Sequence, residues 1–307
     1  MNTVPRVPHE AQSADNEPAA APPGSMVRPR PPLLRAMGLY DPPLSVRVEG
    51  RVYRRLEILK HDSWAATAVY AGAGGRIVCK FNRQQPILGI PVAWLGRFLA
   101  RREGRLLRRL QRTGHVPPLL RQPWVDGRRL RHAVAHEYVP GHPLSPDEWV
   151  NDRFFPRLRA VLRRMHGHGM AYVDLHKREN VIVGDDGRPY LVDFQISLCL
   201  PRRWPARSRL ARATLRWFQD ADEYHLLKHW ARHRPDQCPL SAEEVPRRRP
   251  WPVRLHRLVG VPFRWVRRRL LVCLGIRSGR GMAESEYFAE DAVRRCLRPG
   301  LGVFPKA

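Results

Sequence analysis

The sequence predicts an α+β protein in which a strand-rich part comes first and a mainly helical part follows. Between residues 45 and 83, apolar and polar residues alternate in short runs around a glycine-rich turn, as in antiparallel strands. From about 92 to 112, and again from 154 to 166, apolar residues recur at helical spacing. The 307 residues, 43% of them hydrophobic, suffice for one domain of two lobes or for two small domains.

The first segment of the chain, residues 1–35, differs in composition from the rest. It is rich in proline and alanine and contains few large apolar residues. Such a segment cannot bury enough apolar surface to offset the entropy lost on ordering. We therefore expect it to be disordered.

Short strands follow the tail. Residues 46–48 and 52–56 alternate in polarity, and residues 66–70 are rich in strand-forming types. A glycine-rich turn then leads into the apolar run 76–81, so that a hairpin is expected. Lys80 lies near the end of this run, where it is either a solvated edge residue or a cation held close to a bound anion.

An amphipathic helix is predicted from about 92 to 112, ended by Gly114. Glu103 lies on it and is either a surface acid in an arginine-rich helix or the partner of a buried cation. A second hairpin is expected, in which residues 119–124 lead to a turn at residues 126–127 and residues 133–139 form the return strand.

Further helices are predicted after residue 144, among them one through residues 215–218 and 222–229. Residues 145–148, Ser-Pro-Asp-Glu, match a helix N-terminus with an N-cap, a first-turn proline and a capping-box acid. The apolar spacing between 154 and 166 indicates a buried helix. A last helix is predicted from about 284 to 297.

Three oxygen-bearing side chains stand close together in the middle of the sequence. Asp174 and Asn180 precede the apolar strand 181–183, and Asp193 ends the strand after the next turn. A hairpin of these strands would present all three side chains at one place. One carboxylate can orient an attacking hydroxyl, while an amide and a second carboxylate can hold Mg²⁺. The alternative is a set of turn acids beside two strands, with no chemical role.

The same region resembles the protein-kinase-like superfamily. Residues 165–174 resemble the motif L-H-x-x-G-x-x-H-R-D, with a following asparagine, and residues 193–195 resemble D-F-G. No A-P-E segment follows, and this shortened layout is more similar to RIO-type kinases and to the heptose and Kdo kinases of the lipopolysaccharide core. The resemblance covers about residues 50–235.

The resemblance implies a two-lobed protein-kinase-like fold, with a small antiparallel-sheet N-lobe and a mainly helical C-lobe. The N-lobe would comprise residues 45–140, with the nucleotide-binding sheet and one helix. The C-lobe would comprise residues 141–300, with the catalytic loop, the metal site and basic C-terminal helices.

The resemblance also implies a role for each candidate residue. Asp174 would orient the acceptor hydroxyl, and Lys177 or else His176 would neutralise charge on the transferred phosphoryl group. Asn180 and Asp193 would bind Mg²⁺. The residues expected to bind ATP are Lys80, which would contact its phosphates, Glu103, which would pair with that lysine, and Glu137, Tyr138 and Val139, whose backbone would contact adenine.

Four departures from the family pattern stand out. Val173 replaces an arginine that often anchors a phosphorylated loop, which argues against that mode of control. Asn180 follows Asp174 one residue later than the motif requires, and Gln195 replaces a glycine. The place of the glycine-rich phosphate loop is taken by residues 60–66, which contain no glycine, so looser or different phosphate contacts are expected.

The resulting functional prediction is a kinase that uses ATP and Mg²⁺ to phosphorylate a hydroxyl of a protein Ser/Thr or of a lipopolysaccharide-core-type sugar. The alternative is a pseudokinase scaffold that binds nucleotide or a partner without catalysis. A third class is a basic protein that binds nucleic acid or membrane.

Charge and cysteine usage bear on partners and location. The chain carries 55 Lys+Arg against 28 Asp+Glu, a net charge of +27, but the basic residues are spread along its whole length, so nucleic acid is not expected as a partner. The basic, partly apolar stretch 246–280 suits either peripheral contact with an anionic membrane or packing on the C-lobe. Five scattered cysteines and the absence of a signal peptide or membrane span predict a cytoplasmic protein, with contact at the inner face of the membrane as an option.

Overall fold

The computed structural model describes residues 32–87, 89–200, 208–241 and 244–247, together with residues 250 and 269. Residues 1–31 of the predicted disordered tail lie outside the described residues, and so do most of the basic stretch 246–280 and the helix predicted at 284–297. The last residues assigned to the tail are described, and Pro32–Leu34 forms one turn of 3-10 helix.

The largest element is an antiparallel sheet of seven strands in the order β6-β5-β1-β2-β3-β4-β7. Its strands are β1 (Ser45–Val48), β2 (Arg51–His61), β3 (Ala65–Gly72), β4 (Gly75–Asn82), β5 (Trp124–Val125), β6 (Arg128–Arg129) and β7 (Ala133–Glu137).

The β3–β4 hairpin forms where the glycine-rich turn predicts it. Gly75 has φ +93°, a conformation that a residue without a side chain adopts at little cost. The second predicted hairpin forms in part. Leu119 bridges His136 in an antiparallel sense, and Leu120 N–H donates to the carbonyl of Ala135 at 2.9 Å. The turn at residues 126–127 joins β5 to the short β6, and β7 also pairs with β4, which was not predicted.

Two smaller sheets complete the β structure of the described residues. In one, β10 (Val181–Gly184) lies between β8 (Gly141–Pro143) and β11 (Pro189–Leu191). The β10–β11 hairpin is the one that the sequence predicts beside Asp193. In the other, β9 (Met170–Ala171) pairs with β12 (Leu198–Cys199).

The main helices are α1 (Ala93–Leu110), α2 (Phe154–Gly167) and α3 (Arg209–His233), and α4 (Glu244–Arg247) is a single turn. Helix α2 buries the apolar residues that recur at helical spacing. Helix α1 buries Leu106 and Leu110 of its predicted apolar set but leaves Trp94 and Phe98 exposed. The predicted helix start at 145–148 is wrong. Glu148 does accept the backbone N–H of Ser145, at 3.0 Å, but its other carboxylate oxygen lies 2.7 Å from His142 Nε2. Residues 145–148 therefore form a turn and not the start of a helix, since α2 begins only at Phe154.

Apolar side chains form two main cores. One lies against the large sheet and contains Tyr53, Tyr70 and Phe81. The other joins α1 and Val134 of β7 to α2, α3 and the strands around β10. Helix α1 therefore packs against both the sheet and the helical part of the chain. The predicted α+β class is confirmed, with helices packed beside antiparallel sheets.

Three cysteines in the described part of the chain, Cys79, Cys199 and Cys238, are free thiols. Among the described helices, none combines the length and the apolar character that crossing a bilayer requires.

Candidate active site

The first part of the site is centred on a lysine of the seven-stranded sheet. Lys80, near the end of β4, places its Nζ 2.7 Å from Asp193 Oδ1 and 3.3 Å from Glu103 Oε1 on α1. The lysine side chain is 10% exposed, Glu103 is 4% exposed and Asp193 is 28% exposed. Three separate elements therefore meet at one ammonium group.

The charges of this trio depend on one another. Burial opposes the charged form of Lys80, but the carboxylates of Asp193 and Glu103 outweigh it and hold the pKa of the lysine above its ordinary value. Burial also acts against ionised Asp193, yet the attraction of Lys80 lowers the pKa of this carboxyl to about 2. The pKa of Glu103 is raised by burial, since the lysine compensates only in part. Lys80 is therefore a fixed cation beside an ionised Asp193.

The loop after β9 forms the second part of the site. Asp174 is almost fully buried, and its Oδ2 accepts hydrogen bonds from Lys177 Nζ at 2.7 Å and from Asn180 Nδ2 at 3.0 Å. Its Oδ1 is buried without a hydrogen bond from the described residues, and His176 Nδ1 lies 3.4 Å away. One carboxylate oxygen is thus fixed by the loop, whereas the other accepts no hydrogen bond from the described residues.

The contact with Asp174 favours the charged form of Lys177. Burial lowers the pKa of its ammonium, but the hydrogen bond to Asp174 and the charge of that carboxylate more than compensate, and the pKa is raised. Lys177 also contributes to lowering the pKa of Asp193. It is a cation at neutral pH in direct contact with Asp174.

The loop after β9 is held by a buried acid of α3 that was not among the predicted site residues. Asp222 of α3 is fully buried and accepts the backbone N–H groups of Tyr172 and Val173, both at 2.7 Å. Its Oδ2 also lies 3.2 Å from His166 Nε2. Val173 has φ +73°, which a β-branched residue avoids unless its surroundings impose it. Asp222 therefore stabilises the backbone turn that presents Asp174.

A signal for Asp222 was present in the sequence. It occupies a core-facing position of α3, between the buried Leu215 and Leu226 at helical spacing. A carboxylate on the apolar face of a helix requires buried partners.

The segment after β11 fixes Asp193. This residue has φ +58°, and its side chain accepts the backbone N–H of Gln195 at 3.3 Å. Gln195 Nε2 donates to Asn82 Oδ1 on β4 at 2.9 Å, and Arg102 of α1 donates to the carbonyl of Ser197. These contacts tie the residues around Asp193 to the sheet and to α1.

Two oxygens in this site suit a hard cation. Asn180 uses its Nδ2 group on Asp174, which leaves Oδ1 without a hydrogen bond from the described residues. Lys80 and Gln195 both bind Oδ1 of Asp193, so that Oδ2 is likewise free of partners in the described part of the chain. An amide and a carboxylate oxygen fit Mg²⁺, which keeps several waters and takes few protein ligands. Within the described ranges, no group of three or more His, Cys, Asp or Glu side chains gathers around a metal-sized space.

The three residues predicted to contact adenine follow β7 or end it. The N–H of Glu137 donates to the carbonyl of Pro118 at 2.9 Å, and that of Tyr138 donates to the carbonyl of Arg76 at 3.1 Å. Val139 N–H makes no such bond within the described ranges. Of the three backbone donors, only the one on Val139 can therefore serve a ligand without breaking a contact of the protein.

Comparisons with known proteins add no relative to this picture. No protein-family model matches the chain, and a search of curated proteins finds no similar sequence. The interpretation of the site therefore depends on its residues and their geometry.

Proposed function

We propose that the protein is a phosphotransferase that uses ATP and Mg²⁺ to phosphorylate a hydroxyl, on a two-lobed protein-kinase-like fold. The observation that carries the proposal is the meeting of Lys80, Glu103 and Asp193 from β4, α1 and the segment after β11. An ammonium fixed by two carboxylates is positioned to bind phosphate oxygens, and its neighbour Asp193 offers a free oxygen to the metal.

The chain supplies the remaining groups that the transfer needs. The acceptor hydroxyl would donate to Asp174, whose buried Oδ1 has no hydrogen bond among the described residues. As the new bond forms between the hydroxyl oxygen and the γ-phosphorus, the bond from that phosphorus to the bridging oxygen of ADP breaks. The hydroxyl proton passes to Asp174, and Lys177 lies near enough to balance charge on the transferred group.

Asn180 and Asp193 are the residues that would hold Mg²⁺. When bound, the ion neutralises charge on the phosphates. All other contributions come from side chains already in place: Lys80 binds phosphate, Glu103 orients Lys80, and Asp222 positions the loop that carries Asp174.

The proposed acceptor is a hydroxyl of a protein Ser/Thr or of a lipopolysaccharide-core-type sugar. The net charge of +27 suits an anionic acceptor or an acceptor carried on an anionic surface. A cytoplasmic protein in peripheral contact with the inner face of the membrane would meet both kinds of acceptor.

One observation favours the second candidate, a pseudokinase scaffold without catalysis. Lys80 bonds Asp193 directly at 2.7 Å, so that the lysine occupies one oxygen of the metal-binding acid. A protein that never turns over could keep this pair closed. Nucleotide binding without transfer would identify it.

Labelled ATP tests the proposal. The full chain is incubated with γ-labelled ATP and MgCl₂, alone or with dephosphorylated casein or lipopolysaccharide lacking core phosphate. Transfer of label to an acceptor by the wild type, lost in Asp174→Asn, supports the enzyme. Mg-dependent ATP binding without any label transfer or phosphate release supports the scaffold, and absence of both binding and transfer contradicts the enzyme and a nucleotide-binding scaffold alike.

A further inference from the structure

The turn between β2 and β3 lies where a glycine-rich phosphate loop would stand, but it contains no glycine. The side chain of Asp62, within the turn, accepts hydrogen bonds from backbone N–H groups of the turn. The N–H groups of Trp64 and Ala65 donate to Asp62 Oδ1 at 2.7 and 2.9 Å, and Asp62 N–H donates to the carbonyl of Ala65 at 2.9 Å. Phosphate could take these donors only by breaking the turn.

The turn is also tied down from outside. The N–H of Ala36 donates to the carbonyl of Asp62 at 2.7 Å, and Ser63 Oγ donates to the carbonyl of Leu34 at 3.0 Å. The buried Arg83 donates its Nη1 to the carbonyl of Ser63 at 2.6 Å. Opening the turn toward a ligand would therefore cost several hydrogen bonds at once. A nucleotide needs another donor on this side of the site.

Lys60 offers that donor. In the sheet, Lys60 pairs with Thr67, and Thr67 pairs with Lys80. Directly paired residues of neighbouring strands place their side chains on the same face of a sheet. Lys60, Thr67 and Lys80 therefore form a row across three strands, on the face that carries the candidate site.

The two lysines of this row differ in exposure. The Lys80 side chain is 10% exposed and paired with two carboxylates, whereas that of Lys60 is 51% exposed. Lys60 Nζ contacts Asp62 Oδ2 at 2.9 Å. Asp62 is only 21% exposed, but the lysine of the pair lies in solvent, so the pair contributes little, about 0–1 kcal/mol, and Lys60 can exchange Asp62 for a stronger anion. Asp62 would keep its hold on the turn, because the bonds to Trp64 and Ala65 use the other oxygen.

We propose that Lys60 binds the terminal phosphates of the nucleotide with its side chain, in place of the backbone N–H groups that a glycine-rich loop would supply. The proposal rests on the proposed function, since it names the phosphate contact of that same site. The proposed ligand is a nucleoside triphosphate whose β- and γ-phosphates lie next to Lys60 and Lys80.

Binding measurements separate Lys60 from the rest of the site. The dissociation constants of MgATP, of AMP and of adenosine are measured by calorimetry for the wild type, Lys60→Ala and Lys60→Arg. Lys228→Ala, an exposed lysine on α3, is the matched control. Lys60→Ala should weaken MgATP binding by about tenfold, the loss of one charge-assisted hydrogen bond, with adenosine affinity unchanged. Lys60→Arg and Lys228→Ala should bind MgATP as the wild type does.

The outcomes distinguish the proposed role of Lys60 from the proposed kinase function. If the wild type binds MgATP and Lys60→Ala binds it equally well, the role of Lys60 is wrong while the proposed function stands. An equal loss of MgATP and adenosine binding would also overturn it, because a phosphate contact cannot act on adenosine. If the wild type binds no MgATP, the proposed function fails, and this inference fails with it.

Discussion

Lys80 Nζ lies 2.7 Å from Asp193 Oδ1, although 113 residues separate the two in the chain. The contact joins a strand of the large sheet to the segment that follows the β10–β11 hairpin. Glu103 of α1 meets the same ammonium at 3.3 Å. The proposed function depends on this junction, because it brings a phosphate-binding cation next to a metal-binding acid.

Substitution of Lys80 tests how much Lys80, Glu103 and Asp193 together contribute to stability. Lys80→Met should lower the free energy of unfolding by about 3 kcal/mol, because it leaves two carboxylates without their cation in a buried place. Adding Glu103→Leu should recover about 1–2 kcal/mol of that loss. Urea unfolding followed by tryptophan fluorescence gives both values. Strictly additive effects would mean that the pair seen at 3.3 Å contributes nothing.

Asp174→Asn should abolish transfer and leave the fold intact. An asparagine can still accept the Asn180 hydrogen bond, but it cannot take a proton from the acceptor, so the rate should fall on the order of 10²–10⁴-fold. Asp147→Asn, whose side chain is 91% exposed, is the control and should keep the wild-type rate. Label transfer at saturating MgATP measures the effect. A full rate in Asp174→Asn would remove this residue from the proposed mechanism.

Asp222→Asn tests the support beneath the loop. Its carboxylate accepts two backbone N–H groups, and an asparagine would leave one of them buried without an acceptor. We expect a loss of about 2 kcal/mol in the free energy of unfolding. Because Asp222 acts through the loop, kcat should fall while the KM for ATP changes little.

The neighbouring Glu223 provides a matched control for Asp222. It pairs with Arg159, and both side chains are 29% exposed. Glu223→Gln should therefore change stability by less than about 0.5 kcal/mol. An Asp222→Asn variant as stable and as active as Glu223→Gln would refute the positioning role.

Stability should depend on pH through a buried histidine. Burial lowers the pKa of His229 to about 4, although its hydrogen bond to the carbonyl of Leu175 at 2.8 Å partly opposes the shift. Between this value and the ordinary pKa of 6.5, the unfolded chain binds the proton that folded His229 refuses. The free energy of unfolding should therefore fall as the pH decreases from 6.5 to 4, by up to about 1.4 kcal/mol per pH unit from this residue.

His229→Gln isolates this contribution. Glutamine can still donate to the carbonyl of Leu175 but does not titrate. Urea unfolding at pH 7, 6 and 5 should show a smaller slope in the variant. Part of the slope should persist, because burial also lowers the pKa of both His132 and His136 to about 4. An unchanged slope would show that His229 takes up its proton in the folded state as well.

Much of the fold follows from local patterns in the sequence. The β3–β4 hairpin, α1 and α2 each carry their own turn or periodicity, and the structure contains all three. The pairing of β7 with β4 was missed because the predicted partner, residues 119–120, is near in sequence, while the second partner of β7 lies more than fifty residues earlier. The false helix start at 145–148 has a similar cause, since a capping acid and a turn acid form the same bond to Ser145.

The candidate site was predictable where its residues cluster in sequence. Asp174, Lys177, Asn180 and Asp193 lie within one short stretch, and the structure brings them together. Asp222 was missed because its partners are backbone N–H groups some fifty residues away, and its place on the apolar face of α3 does not by itself identify them. The bond between Gln195 and Asn82 was missed for the same reason of distance along the chain.

The most direct test of the central claim is the melting temperature of the full chain with MgATP, compared with ATP plus EDTA, for the wild type and Asp193→Ala. If Lys80, Asn180 and Asp193 form a site for a metal-bound nucleotide, MgATP at 100 times its dissociation constant should stabilise the wild type by about 2.7 kcal/mol and raise its melting temperature. Chelation of the metal should remove most of the increase, and Asp193→Ala should show little or none. A wild type that melts at the same temperature with and without MgATP, or an Asp193→Ala variant that is stabilised as much as the wild type, would contradict the account.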